Sequence, residues 1–167
     1  MKRPRIDNPV LTVPGALQAL MAFSETATHP GLPRTTLELV NLRVSQINGC
    51  SVCVEMHSQG LKQAGESDAR LFAVAAWRDS SVFSDAERAA LALAEAATRI
   101  SDRPDPVPDD IFVEAARHYD EPALARLVID IAGINAWNRL NVTTGQIAGQ
   151  IPAPSVPAQA VPVGASL

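Results

Sequence analysis

Both cysteines of the chain lie in one short stretch, Cys50-Ser51-Val52-Cys53-Val54-Glu55-Met56-His57, which also ends on a histidine. At about 100° of turn per residue, a helix opening here places Cys50, Cys53 and His57 within an arc of roughly 60°. Cys53 and His57 stand at i and i+4, and Cys50 and Cys53 at i and i+3, so the side chains are neighbours on one helix face. Two thiols and an imidazole on one face suit thiol chemistry. In the first turn of a helix the dipole stabilises a thiolate, and an imidazole one turn on can take its proton. Glu38 supplies a carboxylate that can orient His57 and raise its basicity. The i, i+3 placement also predicts a reversible disulfide between Cys50 and Cys53.

The flanking residues say how these groups are positioned. Thr35 or Thr36 can cap a helix that holds Glu38 in its first turn, with Leu37, Val40, Val44 and Ile47 at helical spacing and Glu38, Asn41 and Ser45 on a more polar side. Asn48-Gly49 is a stop signal, since both residues tolerate the left-handed conformation that ends helices. A second helix begins at Cys50 and runs through Gly60 toward Ala64, with Gly65 ending it. So tight a connection makes the two helices antiparallel neighbours, which returns Glu38 toward His57.

Residues 1–13 read as an irregular N-terminal arm. Pro14 opens a helix with Leu17, Leu20, Met21 and Ser24 on its face, and His29-Pro30-Gly31-Leu32-Pro33 is a loop. Ser67 caps a short helix reaching Trp77. Ser84-Asp85-Ala86-Glu87 is a capping box opening a strong helix toward Ile100. Asp109 to His118 forms another helix, and Pro122 opens the last, with an apolar stripe of Leu124, Leu127, Val128, Ile131 and Ile134 and with Ala125 and Ala132 for close approach. Residues 14–149 therefore read as one helical domain. Residues 150–167, rich in Pro, Ala and Val, read as a disordered tail.

At 167 residues, 47% hydrophobic but only 4% aromatic, the composition favours a single all-α domain over a sheet. The net charge of −4 leaves no basic footprint for nucleic acid. No apolar run reaches the roughly 18 residues of a membrane span, and the N-terminus lacks a signal-peptide core, so the expectation is no membrane association and a cytoplasmic location. There a lone CxxC is redox-active or metal-binding more often than a permanent staple. Helices rich in Ala and Leu leave apolar faces that predict a homo-oligomer.

Glu38 followed by Asn48-Gly49-Cys50-x-x-Cys53-x-x-x-His57 resembles the core of the AhpD-like alkylhydroperoxidase, or carboxymuconolactone decarboxylase-like, family. Trp77-Arg78, the run Phe83 to Leu91, and Asn135-Ala136-Trp137-Asn138-Arg139 are similar to it as well, so that the resemblance covers about residues 14 to 145. It implies an all-α AhpD-like helical bundle, an antiparallel helix pair carrying the CxxC, and assembly into homotrimers or homohexamers. It also implies a hydroperoxide substrate and antioxidant defence. Cys53 would react with the hydroperoxide, Cys50 would resolve the product, and Glu38 with His57 would form a proton relay. A thiol reductant, a dihydrolipoyl protein among the candidates, would restore the dithiol. Some peroxidase members carry a further His inside the CxxC, where this chain has Val52.

Other readings of the same residues remain open. The cysteines can be buried small hydrophobes, or a zinc site can form from Cys50, Cys53, His57 and Glu38, although closed zinc sites usually draw a second ligand pair from elsewhere. The expectation is no metal and no cofactor. Haem attachment needs His directly after the second cysteine, where this chain has Val54, and thioredoxin-like chemistry needs a βαβ setting. A non-redox lyase or isomerase on the same fold, acting on a small lactone or related acid, and a noncatalytic metal-binding or oligomeric interaction protein are the alternatives of other classes. His29 and His118 read as solvated, Trp77 and Trp137 as packing anchors, and Glu55 and the Glu87-Arg88 pair as structural.

Overall fold

The structure, a computed structural model, describes residues 3–28, 30–102 and 104–149. Eight α-helices and two short 3₁₀ segments make up the regular structure among these residues, with no β-strand. The helices are α1 Pro9–Thr12, α2 Ala16–Glu25, α3 Arg34–Asn48, α4 Ser51–Gln63, α5 Asp68–Ala73, α6 Asp85–Thr98, α7 Asp109–His118 and α8 Glu121–Thr144; Val74–Asp79 and Ile100–Asp102 are the 3₁₀ segments. The fold is all-α. The predicted tail and His29 lie outside the described residues.

Helix α3 is the hub, packed against α4, α6 and α8. It is buried on more than one side, with Leu39, Val40, Leu42 and Val44 almost wholly shielded, so the stripe from Leu37 to Ile47 describes only part of its core surface. The helix begins at Arg34 after Pro33, with no side-chain cap from Thr35 or Thr36, which places Glu38 in the second turn rather than the first. Proline's fixed backbone angle and the missing donor at the entry account for the early start. At the other end Gly49 takes φ +69° and lets the chain reverse into α4, with only Gly49 and Cys50 between the two helices. The backbone N–H of Cys50 then closes on the Ser45 carbonyl at 3.0 Å, as a left-handed helix terminus requires.

The long helix α8 departs from its predicted pattern. Leu124, Leu127, Ile131 and Ile134 are buried, but Val128 is 44% exposed, and Ala125 and Ala132 face out. Ala123 and Gly133 are the small residues turned inward. The reason is that Asp130, Asn135, Asn138 and Asn141 occupy inward positions, so the buried face is half polar and hydrophobicity alone misjudges its edge. In α6 the small residues Ala89, Ala90, Ala94 and Ala96 are buried and permit close packing on α3 and α7. Its capping box is formed as expected, with Ser84 and Glu87 each accepting from the other's backbone N–H.

The N-terminal arm is not irregular throughout. Asn8 caps the turn of α1, and the arm is tied to the end of α8 by Arg5 N–H on the Thr144 carbonyl at 2.7 Å and Arg5 Nη1 on the Thr143 carbonyl at 2.7 Å. These bonds satisfy carbonyls that a helix end leaves without partners, and they place a guanidinium where the helix dipole favours it. The predicted helix reaching Trp77 is also broken. It passes into the 3₁₀ segment with a kink at Ala76, which buries Trp77 and leaves Phe72 exposed.

Candidate functional site

Cys50 is the N-cap of α4, its Sγ accepting the Cys53 backbone N–H at 3.3 Å, and Cys53 stands in the first turn. The two sulfurs are joined as a disulfide, and both residues are buried. One turn on, His57 Nδ1 lies 2.8 Å from Glu38 Oε2, across the antiparallel α3–α4 pair. Gly60 makes this approach possible. A Cβ there would come within 3.2 Å of Glu38 Oε2, so a side chain at 60 would compete with the carboxylate for its place.

With Nδ1–H donated to Glu38, the lone pair of the neutral ring belongs to Nε2. That nitrogen is buried and has no hydrogen-bond partner. It is the ring atom left open to a proton partner. Arg34 Nε reaches the other oxygen of Glu38 at 3.8 Å, but its side chain is largely exposed, so solvent screens that contact. A second carboxylate, Asp130 on α8, faces Glu38. Burial pushes it up to about 7, the Asn41 hydrogen bond opposes that shift, and the charge of Glu38 adds to it.

The four residues singled out by spacing are thus brought together in the register expected. A fifth residue escaped notice. Asn141 Nδ2 donates to Cys53 Sγ at 3.4 Å and its own Oδ1 accepts from Asn8 Nδ2 at 3.1 Å. It belongs to an asparagine ladder on α8. Asn48 Nδ2 bridges Asn135 Oδ1 and Asn138 Oδ1, both at 3.0 Å, and Asn138 Nδ2 donates to Ser45 Oγ at 3.1 Å. The ladder pins the C-terminus of α3, and with it the Gly49 turn and Cys50, to α8. Its signal in the sequence is Asn135-x-x-Asn138-x-x-Asn141, a polar stripe at three-residue spacing on one face of an otherwise apolar helix.

A cavity of about 330 Å³ opens beside the disulfide, lined by Gly49, Cys50, Ser51, Asn141, Gln146 and Ile147 among others. Cys50 borders it directly. Cys53 meets it only through Asn141, which both lines the cavity and holds the Cys53 sulfur.

The outlying assignments divide. Trp77 and Trp137 are anchors, their indole N–H groups donating to Glu95 and to Ser24. Glu55 accepts from the backbone of Gly149, and His118 pairs with Glu114 at the surface. Glu87 and Arg88 do not pair with each other; Glu87 binds Arg70, while Arg88 donates to the carbonyls of Trp77, Arg78 and Ser80.

The family model described as the carboxymuconolactone decarboxylase family matches residues 14–96. The uncharacterized protein YdfG of Bacillus subtilis is 36% identical over 132 residues, 79% of this chain and 88% of that one. The chain belongs to the carboxymuconolactone decarboxylase family. Its fold is similar to that of a protein of unknown function from Agrobacterium tumefaciens named for the antioxidant defence protein AhpD, with a TM-score of 0.80 and 32% identity over 87% of this chain and 98% of that one. It is also similar to the debrominase Bmp8, with a TM-score of 0.68 and 26% identity over 80% of this chain and 71% of that one. The family fold is therefore common ground, and the reaction run on it is a separate question. Among the described residues no helix is long and apolar enough to cross a membrane.

Proposed function

We propose that the protein is a hydroperoxide reductase acting through the Cys50–Cys53 dithiol. The observation that carries this reading is the joined sulfur pair one helical turn from a buried histidine whose free nitrogen is left without a partner and whose other nitrogen is held by Glu38. In the reduced protein the Cys53 thiolate attacks a peroxide oxygen. The O–O bond breaks, Cys53 becomes a sulfenic acid, and the departing alkoxide takes a proton through His57 to leave as the alcohol. Cys50 then attacks the Cys53 sulfur, water leaves, and the disulfide closes.

Reduction reverses only the last bond. An incoming dithiol attacks one sulfur, and Cys50 is the sulfur bordering the open cavity. Attack there releases Cys53 as the thiolate, which the helix start, Asn141 and the nearby imidazole favour, so the better leaving group is also the next nucleophile. A dihydrolipoyl protein fits as the reductant, since its lipoyl arm is a slender dithiol. Antioxidant defence in the cytoplasm follows as the cellular role.

We also propose that the chain works as a homotrimer or homohexamer. Met21, Phe23, Val128 and Val142 are exposed apolar side chains on helices that another copy could cover. Light scattering at micromolar concentration should return three or six chains; a monomer would refute assembly without touching the chemistry. The activity is tested by a peroxidase assay with several hydroperoxides and several reductants, a dihydrolipoyl donor among them. Turnover that requires both cysteines is expected. Thiols that stay unoxidised under every hydroperoxide would overturn the proposal and leave the lyase reading standing.

A further inference from the structure

Among the described residues, the buried side-chain atoms lacking any hydrogen-bond partner are His57 Nε2, Asn41 Oδ1 and Asp130 Oδ2. The first belongs to the thiol site. The other two belong to a pair that the proposed reaction does not use. Asn41 Nδ2 donates to Asp130 Oδ1 at 3.4 Å, which leaves one unsatisfied acceptor on each partner. As a carboxylate Asp130 has only lone pairs to offer, whereas as a carboxylic acid it has an O–H, the donor that Asn41 Oδ1 lacks. Protonation thus supplies the one kind of group that both orphaned oxygens lack.

The surroundings favour the same state. Asn41 is three residues after Glu38 on α3, so the two share a face, and Glu38 turns its negative charge toward Asp130. Nearby cations are engaged elsewhere: Arg34 lies against Glu38, Arg126 donates to the Thr26 carbonyl, and Arg43 is held by Glu95 on α6. From α4 the titratable group facing Glu38 is His57, and from α2 the polar side chain at α8 is Ser24, a hydroxyl.

We infer that Asp130 is a positioning residue: it sits as a neutral carboxylic acid, hydrogen bonded through both oxygens to the Asn41 amide, and leaves Glu38 as the single negative charge presented to His57. The inference rests on the reading of Glu38 and His57 as a proton relay. Its carboxyl, lifted to about 7 by burial, keeps the proton up to neutral pH. Above neutrality Asp130 ionises, and a second negative charge faces the Glu38 that holds His57. The relay thereby acquires a pH response that Glu38 and His57 alone do not have.

The test uses the full-length reduced protein with labelled histidine, as wild type, Asp130→Asn and Glu38→Gln. The Asn side chain can make both bonds to Asn41 but cannot ionise. Below neutral pH the folded wild type should show an infrared band of a protonated carboxyl that vanishes as the pH passes neutrality, and Asp130→Asn should lack it. In Glu38→Gln the band should vanish at lower pH, because the repelling charge is gone. The His57 ring signals should move as the pH passes neutrality in wild type and move less in Asp130→Asn. Between the two proteins, the ratio of hydroperoxide turnover above and below neutrality should differ by roughly threefold. A purely structural Asp130 would leave the ring titration and that ratio unchanged. A folded wild type without the band, or ring signals that move alike in wild type and Asp130→Asn, overturns the inference. Should Asp130→Asn fail to fold, the band in wild type and its shift in Glu38→Gln decide the matter. Should no hydroperoxide be reduced, the proposed activity fails while the band and the ring titration still judge Asp130.

Discussion

Two buried carboxylates, Glu95 on α6 and Asp130 on α8, are shielded to similar degrees, at 3% and 8% exposure, yet are driven to opposite charge states. Glu95 loses by burial but is gripped by hydrogen bonds from Arg78, Trp77 and Arg43, and these hold its carboxyl below the ordinary value. Arg99 adds a further cation at 3.7 Å. Asp130 has one amide and faces another carboxylate, so burial prevails and its carboxyl rises. Partners decide the charge, not depth. Glu95 spends its charge on joining α3, the Val74–Asp79 segment and α6. Glu38 instead faces Asp130 on one side and holds His57 on the other, an arrangement that perturbs a carboxyl without joining elements.

The comparison predicts that removing a carboxylate on one side costs activity and on the other costs the fold. The largest effect expected is on the reactive side. Glu38→Gln and His57→Asn should each lower hydroperoxide turnover by about 10² to 10⁴, the usual worth of a positioned proton-transfer group, with circular dichroism unchanged. Because the two act as a unit, steady-state rates of the double variant should be little worse than those of either single one. Loss of stability without loss of rate would erase the contrast with Glu95.

Glu95→Ala should do the reverse, destabilising the protein by about 3–5 kcal/mol, since it leaves buried guanidinium charge without its partner. Urea denaturation measures this. In wild type the depressed carboxyl of Glu95 contributes stability that is complete above its ordinary unfolded value and is lost as pH falls through its folded value. Acid unfolding of wild type should therefore include this loss.

Asp130 has the opposite sign and a smaller effect. Its folded value lies above its unfolded one, so the folded protein holds a proton that the unfolded chain has released, and its contribution to stability falls as pH rises from about 4 to about 7. Asp130→Asn should lack this slope. Measured against wild type by urea midpoints, the variant should gain with pH, by a few kcal/mol at most, and level off above neutrality. A difference independent of pH would mean that Asp130 is ionised throughout.

Much of this was legible in the sequence, for reasons that can be traced to particular residues. The Cys50, Cys53, His57 register follows from helical spacing alone, and Asn48-Gly49 marks the turn because a left-handed terminus needs such residues. Glu38 was found because a short turn forces the two helices to run back along each other. Asp130 and Asn141 were not found, since an Asp or Asn on an amphipathic helix ordinarily marks the wet side, whereas in α8 they face inward and Val128 faces out. The convergence of Arg43, Arg78 and Arg99 on Glu95 was equally hidden. Arg99 stands at i+4 from Glu95, but Arg43 and Arg78 come from stretches distant in sequence, and no local spacing encodes their approach.

The central claim is that Cys53 attacks and Cys50 resolves. The most direct measurement treats the reduced Cys50→Ser protein anaerobically with one equivalent of hydroperoxide, adds a sulfenic-acid trap, and locates the adduct by mass spectrometry, with wild type alongside. A single trapped adduct on Cys53 is predicted for the variant, while wild type should lose two hydrogens within one chain and trap nothing. Cys53→Ser should consume no peroxide. An adduct on Cys50 of the Cys53→Ser protein, or an untouched Cys53 in the Cys50→Ser protein, would contradict the account.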